Sequence, residues 1–162
     1  MNPEKLRHPF GPVYDENSEV LILGSFPSVA SRQQNFYYAH SQNRFWPVLS
    51  KLFDEEITDR RAFCLRHHIA LWDVIDSCRI EGTSDASIRD VSVNDIHELL
   101  EKTKIKAVFT TGGLASKLYQ RYIREDVPHY PLPSTSAANA RMRMDDLLAH
   151  YCRIKEVLYE KA

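Results

Sequence analysis

The sequence is poor in the features that would tie the protein to a metal, a disulfide framework or a membrane. Its three cysteines, Cys64, Cys78 and Cys152, lie far apart, with no C-x-x-C pair. We therefore expect no disulfide scaffold and no zinc or iron–sulfur site, and we interpret the cysteines as reduced thiols of a cytoplasmic protein. No apolar run is long enough for a membrane span, and residues 1–12 are charged without an apolar core. Secretion and membrane insertion are therefore not expected.

Net charge and nucleotide-binding motifs are also lacking. The 21 Lys and Arg residues nearly balance the 22 Asp and Glu residues. The whole molecule therefore has no strong field toward nucleic acid or an acidic membrane, and an anionic partner must be met by a local patch. Gly112 and Gly113 follow a predicted strand, but neither G-x-G-x-x-G nor G-x-x-x-x-G-K-[ST] occurs. We expect no nucleotide cofactor.

What the sequence does contain is an alternation of short apolar runs and helical patterns. Its 162 residues suit one domain over 1–162. Strands are predicted to end at Leu23, Ile75, Thr110 and Leu132. Helices are predicted at 45–53, 58–68 with Thr58 as cap, 94–103, 113–123 and 145–160, and residues 76–90 as loop. This order predicts a three-layer α/β/α sandwich around a central, mostly parallel four-stranded sheet, with the ligand site at the carboxyl ends of the strands.

The loop after the first strand, Val20–Gly24, has the most unusual composition. About twenty residues separate Gly24 from the helix predicted to begin at Phe45, more than a simple connection needs. The loop concentrates aromatic, histidine and amide side chains, namely Phe26, Phe36, Tyr37, Tyr38, His40 and Asn43. Aromatic faces stack on flat ligands and amides hydrogen-bond to their edges, so we expect the chemistry of the protein here.

Three strings of this sequence carry a family resemblance. The loop reads G-S-F-P-S-V-x-S-R…F-Y-Y-A-H-x-x-N-R-F-W, a middle segment reads L-W-D-V-I…C-R-I-E-G-T-S-D-A-S-I, and L-P-S-T-S-A-A-N begins at Leu132. Together they resemble the uracil-DNA glycosylase superfamily, and within it the hypoxanthine-DNA (deoxyinosine) glycosylases. The similarity extends over residues 20–160.

The resemblance implies hydrolysis of the N-glycosidic bond of a deaminated base, hypoxanthine first, flipped out of DNA to leave an abasic site. It implies a monomer that acts on damaged DNA without metal or cofactor. Neither the loop nor the L-P-S-T-S-A-A-N string contains a lysine, which disfavours a Schiff-base lyase step. The alternatives are a uracil- or mismatch-directed glycosylase of the same fold, and a non-catalytic module that binds nucleobases or damaged DNA.

Two loop residues are the catalytic candidates. Phe26 stands where better-known branches have an Asp or Asn that positions water, and the resemblance transfers that role to Asn43. Asn43 also precedes a predicted helix, so an N-cap is the structural alternative. Ser41 stands where the branch usually has proline. The loss of that proline would loosen the loop that orients Asn43. His40 is the candidate to stabilise or protonate the departing base, or it is an ordinary hydrogen-bonding residue.

Four residues are candidates for base binding. Phe26 would stack on the base or plug the core beneath the loop. Ser25 and Ser28 flank it, where backbone amides would bind an exocyclic carbonyl of the base. Tyr38 would line the pocket or pack beneath it, and because Tyr37 is adjacent, at most one of the two is expected to face a ligand.

The second string supplies the candidate DNA contacts, namely Ser134, Ser136, Asn139, Arg141 and Arg143. The hydroxyls of Ser134 and Ser136 would bind a phosphate, or they belong to a Ser/Thr-rich helix-entry turn. Arg141 and Arg143 would enter the minor groove beside the flipped nucleotide.

Roles are also predicted for two arginines and two carboxylates outside that string. Arg32 and Arg44 are expected to add to a positive patch. Asp73 would orient an active-site group or, as we prefer, cap a neighbouring loop, and Asp85 would organise its own turn.

Overall fold

A computed structural model describes residues 5–80 and 87–159 of the chain, so Asp85 lies outside the described residues. In chain order the elements are β1 (Lys5–Arg7), β2 (Val20–Gly24), α1 (Val29–Gln34), α2 (Phe45–Phe53), α3 (Arg60–Arg66), β3 (Ile69–Asp73), β4 (Ile75–Arg79), β5 (Arg89–Val93), α4 (Ile96–Glu101), β6 (Ala107–Thr111), α5 (Gly113–Tyr122), β7 (His129–Leu132) and α6 (Met144–Leu158). The central sheet has the order β3-β2-β6-β7, and its three pairings are parallel. The carboxyl ends of its four strands therefore meet at one edge, as predicted.

The central sheet is covered by helices on both faces. Val20 and Ile22 of β2 pack in one core with side chains of α2, α3 and α6, whereas Leu21 and Leu23 pack in a second core with side chains of α4 and α5. Successive strand residues point to opposite faces, so a strand buried on both faces is apolar throughout. The predicted α/β/α sandwich around a four-stranded sheet is confirmed.

A second, antiparallel sheet of order β1-β4-β5 was not predicted. The prediction of loop over residues 76–90 is therefore wrong for β4 and for the start of β5. These strands read I-D-S-C-R and R-D-V-S-V, and their pairing is irregular between Ile75 and Arg79. Polar residues and a shifting register remove the apolar alternation by which a half-buried strand is recognised.

Two local features also differ from the prediction. The helix expected from Thr58 begins one residue later, because the Asp59 carboxylate accepts a hydrogen bond from Ala62 N at 3.0 Å and so caps α3. The aromatic loop is not continuous, since α1 forms inside it with Ser28 as its N-cap. Among the described residues, no helix is long and apolar enough to cross a membrane.

Candidate active site

A cleft of about 720 Å³ opens at the carboxyl edge of the central sheet. It is lined by residues 24–32, 37–38, 40, 42–43, 73, 80, 88, 111–115 and 134–138. Gly24, Asp73 and Thr111 are the last residues of three neighbouring parallel strands. The cleft therefore occupies the position where open α/β sheets bind ligands, and its volume is that of a small-molecule pocket.

Asn43 joins the two predicted signature segments. Its Oδ1 accepts one hydrogen bond from Phe45 N at 2.9 Å and another from the Thr135 hydroxyl at 2.8 Å. The first bond closes an Asx turn and satisfies the N–H of the first residue of α2. The N-cap of α2 is Arg44, which makes no side-chain cap bond, so the N-cap interpretation of Asn43 is wrong by one residue. Because both donors bind the oxygen, its two lone pairs are used and the amide orientation is fixed. Asn43 lines the cleft, and its Nδ2 bonds to no described residue.

Thr135 was not among the predicted site residues, although both of its neighbours were. Its side chain is 1% exposed and donates to Asn43, whereas the flanking Ser134 and Ser136 line the cleft half-buried. Successive residues of an extended segment point in opposite directions. The string P-S-T-S therefore implies that Thr135 points away from its neighbours, and this alternation is the signal by which Thr135 could have been found.

Arg44 fixes the second signature loop. Its Nη2 donates to Ser136 O at 2.9 Å and to Asn139 O at 3.0 Å, and its Nη1 donates to Met142 O. Its backbone N–H donates to Thr135 O at 3.0 Å. The guanidinium N–H groups are committed to carbonyl oxygens, which carry no net charge, so the group keeps its positive charge. That Arg44 adds to a positive patch stays a prediction.

We expect Arg44→Lys to lower the free energy of unfolding by about 1–3 kcal/mol, because one ammonium cannot replace a planar fork that holds several carbonyls. Urea denaturation followed by tryptophan fluorescence measures this change. Arg153→Lys is the control, since Arg153 holds no backbone carbonyl among the described residues: it pairs with Glu156 at 3.4 Å and lies 5.1 Å from the Tyr130 ring centroid at the surface. Equal stability of the Arg44 and Arg153 variants would show that other contacts hold the loop.

The two aromatic side chains predicted to bind the base, Phe26 and Tyr38, are in contact with neighbouring side chains. Phe26 is half-buried in the cleft wall, with the Arg32 guanidinium 5.8 Å from its ring centroid. The Tyr38 ring stacks on Phe45 at 3.8 Å, and its hydroxyl lies 2.9 Å from Thr111 Oγ1. Burial, followed by the charge of Asp73, raises the pKa of Tyr38 above its usual range, so this phenol stays neutral.

The two predicted serines differ in the hydrogen bonds that their side chains make. Both Ser25 and Ser28 line the cleft. The Ser28 hydroxyl accepts from Ser31 N at 3.2 Å and thus serves as the cap of α1. The Ser25 side chain makes no hydrogen bond to a described residue, and its carbonyl accepts from Ile75 N at 3.0 Å. Ser25 therefore keeps its hydroxyl available for a ligand.

His40 lies exposed at the mouth of the cleft. Its Nδ1 accepts a hydrogen bond from Gln42 N at 3.1 Å, which places the proton of the neutral ring on Nε2. The Asn43 backbone N–H in turn donates to His40 O at 2.9 Å. The side chain therefore stabilises its own turn and offers an N–H donor to whatever enters the cleft.

A buried hydrogen bond between a histidine and a carboxylate at the base of the cleft was not predicted. His8 Nε2 lies 2.8 Å from Asp73 Oδ2, and the two side chains are 3% and 6% exposed. A Cβ on Gly24 would lie 2.5 Å from Asp73 Oδ1, so only glycine leaves room for this carboxylate. No described residue donates to Oδ1. Within the described residues the Asp73 carboxylate bonds to His8 and caps no loop, so our preferred interpretation of Asp73 is wrong.

The predicted DNA contacts divide into two groups. The hydroxyl oxygens of Ser134 and Ser136 accept from Ser136 N at 3.1 Å and Ala138 N at 3.2 Å, which forms two serine turns but leaves both hydroxyl hydrogens free to donate. These turns do not enter a helix, since α6 begins only at Met144. Asn139 uses its side chain to donate to Ser134 O at 3.0 Å. Arg141 and Arg143 are exposed and lie outside the cleft lining.

Comparison with known proteins agrees with this fold and cleft. The family model of the uracil DNA glycosylase superfamily matches residues 12–158. The protein belongs to the uracil DNA glycosylase superfamily.

Two curated proteins and one solved structure are similar to most of this chain. A protein from Methanosarcina barkeri named hypoxanthine DNA glycosylase is 33% identical over 138 residues, covering 82% of this chain and 87% of its own. A protein of the same name from Methanosarcina acetivorans is 34% identical over 143 residues, covering 84% and 90%. A solution NMR structure provisionally described as a uracil DNA glycosylase, also from M. acetivorans, superposes with a TM-score of 0.77 at 31% identity, covering 92% and 98%.

Proposed function

We propose that the protein is a monofunctional DNA glycosylase that removes a deaminated base, most of all hypoxanthine, flipped out of DNA into the cleft. The observation that carries this proposal is the meeting of both signature segments in one cleft, joined by the hydrogen bond from Thr135 to Asn43. Superfamily membership and relatives named hypoxanthine DNA glycosylase support it. An enzyme of this kind extrudes its target base because the bond to be cut is inaccessible within the duplex.

The proposed selectivity comes from the edge of the base. Hypoxanthine has a carbonyl next to a ring N–H, whereas adenine has an amine next to a bare ring nitrogen. Asp73 Oδ1, which has no donor among the described residues, would accept the ring N–H. The backbone N–H groups of Ser25 and Phe26, also without described partners, would donate to the carbonyl. Adenine would leave these buried groups mismatched, which costs binding energy.

The proposed reaction breaks the bond between the sugar C1′ and the base nitrogen. The bonding electron pair leaves with the base, which takes a proton, and a water molecule adds to the cationic sugar carbon and loses a proton. The Asn43 amide nitrogen is the atom left to hold that water, because its oxygen is occupied. Positioning is enough when the sugar is already cationic. His40 Nε2–H would donate to the leaving base.

The proposed DNA contacts surround this centre. Phe26 would stack on the flipped base, and the hydroxyls of Ser134 and Ser136 would donate to a phosphate beside it. Arg141 and Arg143, exposed beyond the cleft, would contact the minor groove. We propose that the protein acts in the cytoplasm as a monomer, and its three cysteines are free thiols.

The proposal is tested with matched duplexes that contain one deoxyinosine, deoxyuridine or deoxyadenosine at the same position. Purified protein is incubated with each in EDTA, abasic sites are cleaved with alkali, and the released base is identified by chromatography. We expect cleavage at inosine with release of free hypoxanthine. Cleavage at uracil alone would retain the reaction and change the substrate. Tight binding to the inosine duplex without base release would establish a binding module instead of an enzyme.

A further inference from the structure

Three arginines near the cleft share one unusual arrangement. The guanidinium carbons of Arg32, Arg61 and Arg60 lie 5.8, 5.7 and 5.2 Å from the ring centroids of Phe26, Phe36 and Trp46, respectively. All three rings belong to the aromatic loop or to the first turn of α2 that ends it. Stacking on a ring orients a guanidinium but leaves its N–H groups available at the edge.

None of these three arginines forms an ion pair with a carboxylate among the described residues. Other arginines do, as Arg66 pairs with Glu55 at 2.7 Å and Arg153 with Glu156 at 3.4 Å. The nearest acid in sequence, Asp59, uses its carboxylate to cap α3. In a chain of net charge −1, such a group of unneutralised cations is a local positive patch.

The geometry of the fold places these arginines at the edge where the cleft opens. Arg60 and Arg61 begin α3, which packs on the sheet and leads into the start of β3, so the first turn of α3 lies toward the carboxyl end of that strand. Arg61 lies close enough to the cleft residue Tyr37 that its charge opposes the rise that burial causes in the pKa of Tyr37. Trp46, beneath Arg60, donates from Nε1 to Tyr37 O at 3.1 Å.

We propose that Arg32, Arg60 and Arg61 form an arginine band that binds the phosphates of the DNA strand flanking the flipped nucleotide. The inference deepens the proposed function and rests on it. The band follows the β3 side of the cleft, whereas Ser134 and Ser136 lie on the β7 side, so the DNA would be held on both sides of the base. Guanidinium groups that are already oriented lose less entropy when they bind phosphate than free side chains do.

The test is the salt dependence of DNA binding. Dissociation constants of a fluorescent inosine duplex are measured over a series of salt concentrations for the wild type and for the double variant Arg60→Gln/Arg61→Gln. Each lost phosphate contact lowers the slope of log K against log salt by about 0.9. We therefore expect the slope of the double variant to fall by about 2. An unchanged slope would overturn the arginine band.

The chain offers a matched control for stacking and charge. Arg121 is exposed, lies 5.2 Å from the Tyr122 ring centroid, and sits at the far end of α5, away from the cleft edge. Arg121→Gln is expected to leave the slope unchanged, and a fall equal to that of the double variant would overturn the inference. Arg60→Lys/Arg61→Lys retains the charge and should keep a slope close to that of the wild type. If it falls as far as the glutamine variant, the effect is structural and the band is refuted.

The two proposals fail separately in this design. If the wild type excises hypoxanthine and the salt slope of the Arg60→Gln/Arg61→Gln variant is unchanged, the glycosylase function is retained and the arginine band is refuted. If the wild type releases no base and the double variant has a smaller salt slope than the wild type, the arginine band is supported as a DNA-binding surface and the glycosylase function is refuted.

Discussion

Asn43→Ala is expected to slow excision of hypoxanthine by about 100-fold or more, the typical cost of removing one oriented polar group from a reacting centre. The amide nitrogen is the part of Asn43 that no described residue occupies, and alanine removes it. Binding of the inosine duplex should change far less, because Phe26 and the phosphate contacts remain. Single-turnover kinetics at saturating enzyme, with a parallel binding titration, separate the two effects.

The control for Asn43→Ala must allow for its second role. Alanine also removes the acceptor of Phe45 N and leaves the buried Thr135 hydroxyl without its partner, which together cost about 1–3 kcal/mol of stability. Asp95→Ala is a destabilising control away from the cleft, since Asp95 Oδ1 accepts from Glu98 N at 3.1 Å and caps α4. The Asp95 variant should lose about 1 kcal/mol of stability and keep full excision. If Asn43→Ala excised like the wild type, Asn43 would only hold Phe45 N and Thr135 in place.

Much of the site could be predicted because the relevant signals are local in sequence. The strand that ends at Gly24 is continuous in its apolar residues, and the parallel arrangement then places the loops after β2, β6 and β7 at one edge. Those loops do line the cleft. The hydrogen bond from Phe45 N to Asn43 before α2 likewise follows from a short-range preference, since the two residues are only two positions apart.

What could not be predicted depends on contacts between distant residues. His8 and Asp73 are 65 residues apart, and His8 reaches Asp73 because β1 pairs with β4 in a sheet whose polar strands give no periodic signal. Arg44 illustrates the same limit. Arg44 binds three carbonyl oxygens of residues more than 90 positions away. Nothing in the sequence distinguishes such an arginine from one at the surface. Local patterns locate the cleft, but its supporting contacts are tertiary.

The contact between His8 and Asp73 yields the prediction with the largest effect on stability. His8→Ala is expected to lower the free energy of unfolding by about 3–5 kcal/mol, because it leaves a 6% exposed carboxylate without its partner. Thermal and urea denaturation measure the loss. The same variant should excise hypoxanthine with reduced preference over adenine, since Asp73 would no longer be held at the edge of the base.

A double-mutant cycle separates the buried charge from the lost packing. Asp73→Asn removes the charge that His8→Ala would strand, so the double variant should be more stable than His8→Ala alone. Simple loss of packing around Phe10 and Tyr37, which contact the His8 ring, would make the two losses additive. Strict additivity would therefore contradict the argument from the unpaired carboxylate. A double variant that regains stability but not base preference would assign the buried pair to stability and the free Asp73 Oδ1 to recognition of the base, because only recognition needs the carboxylate itself.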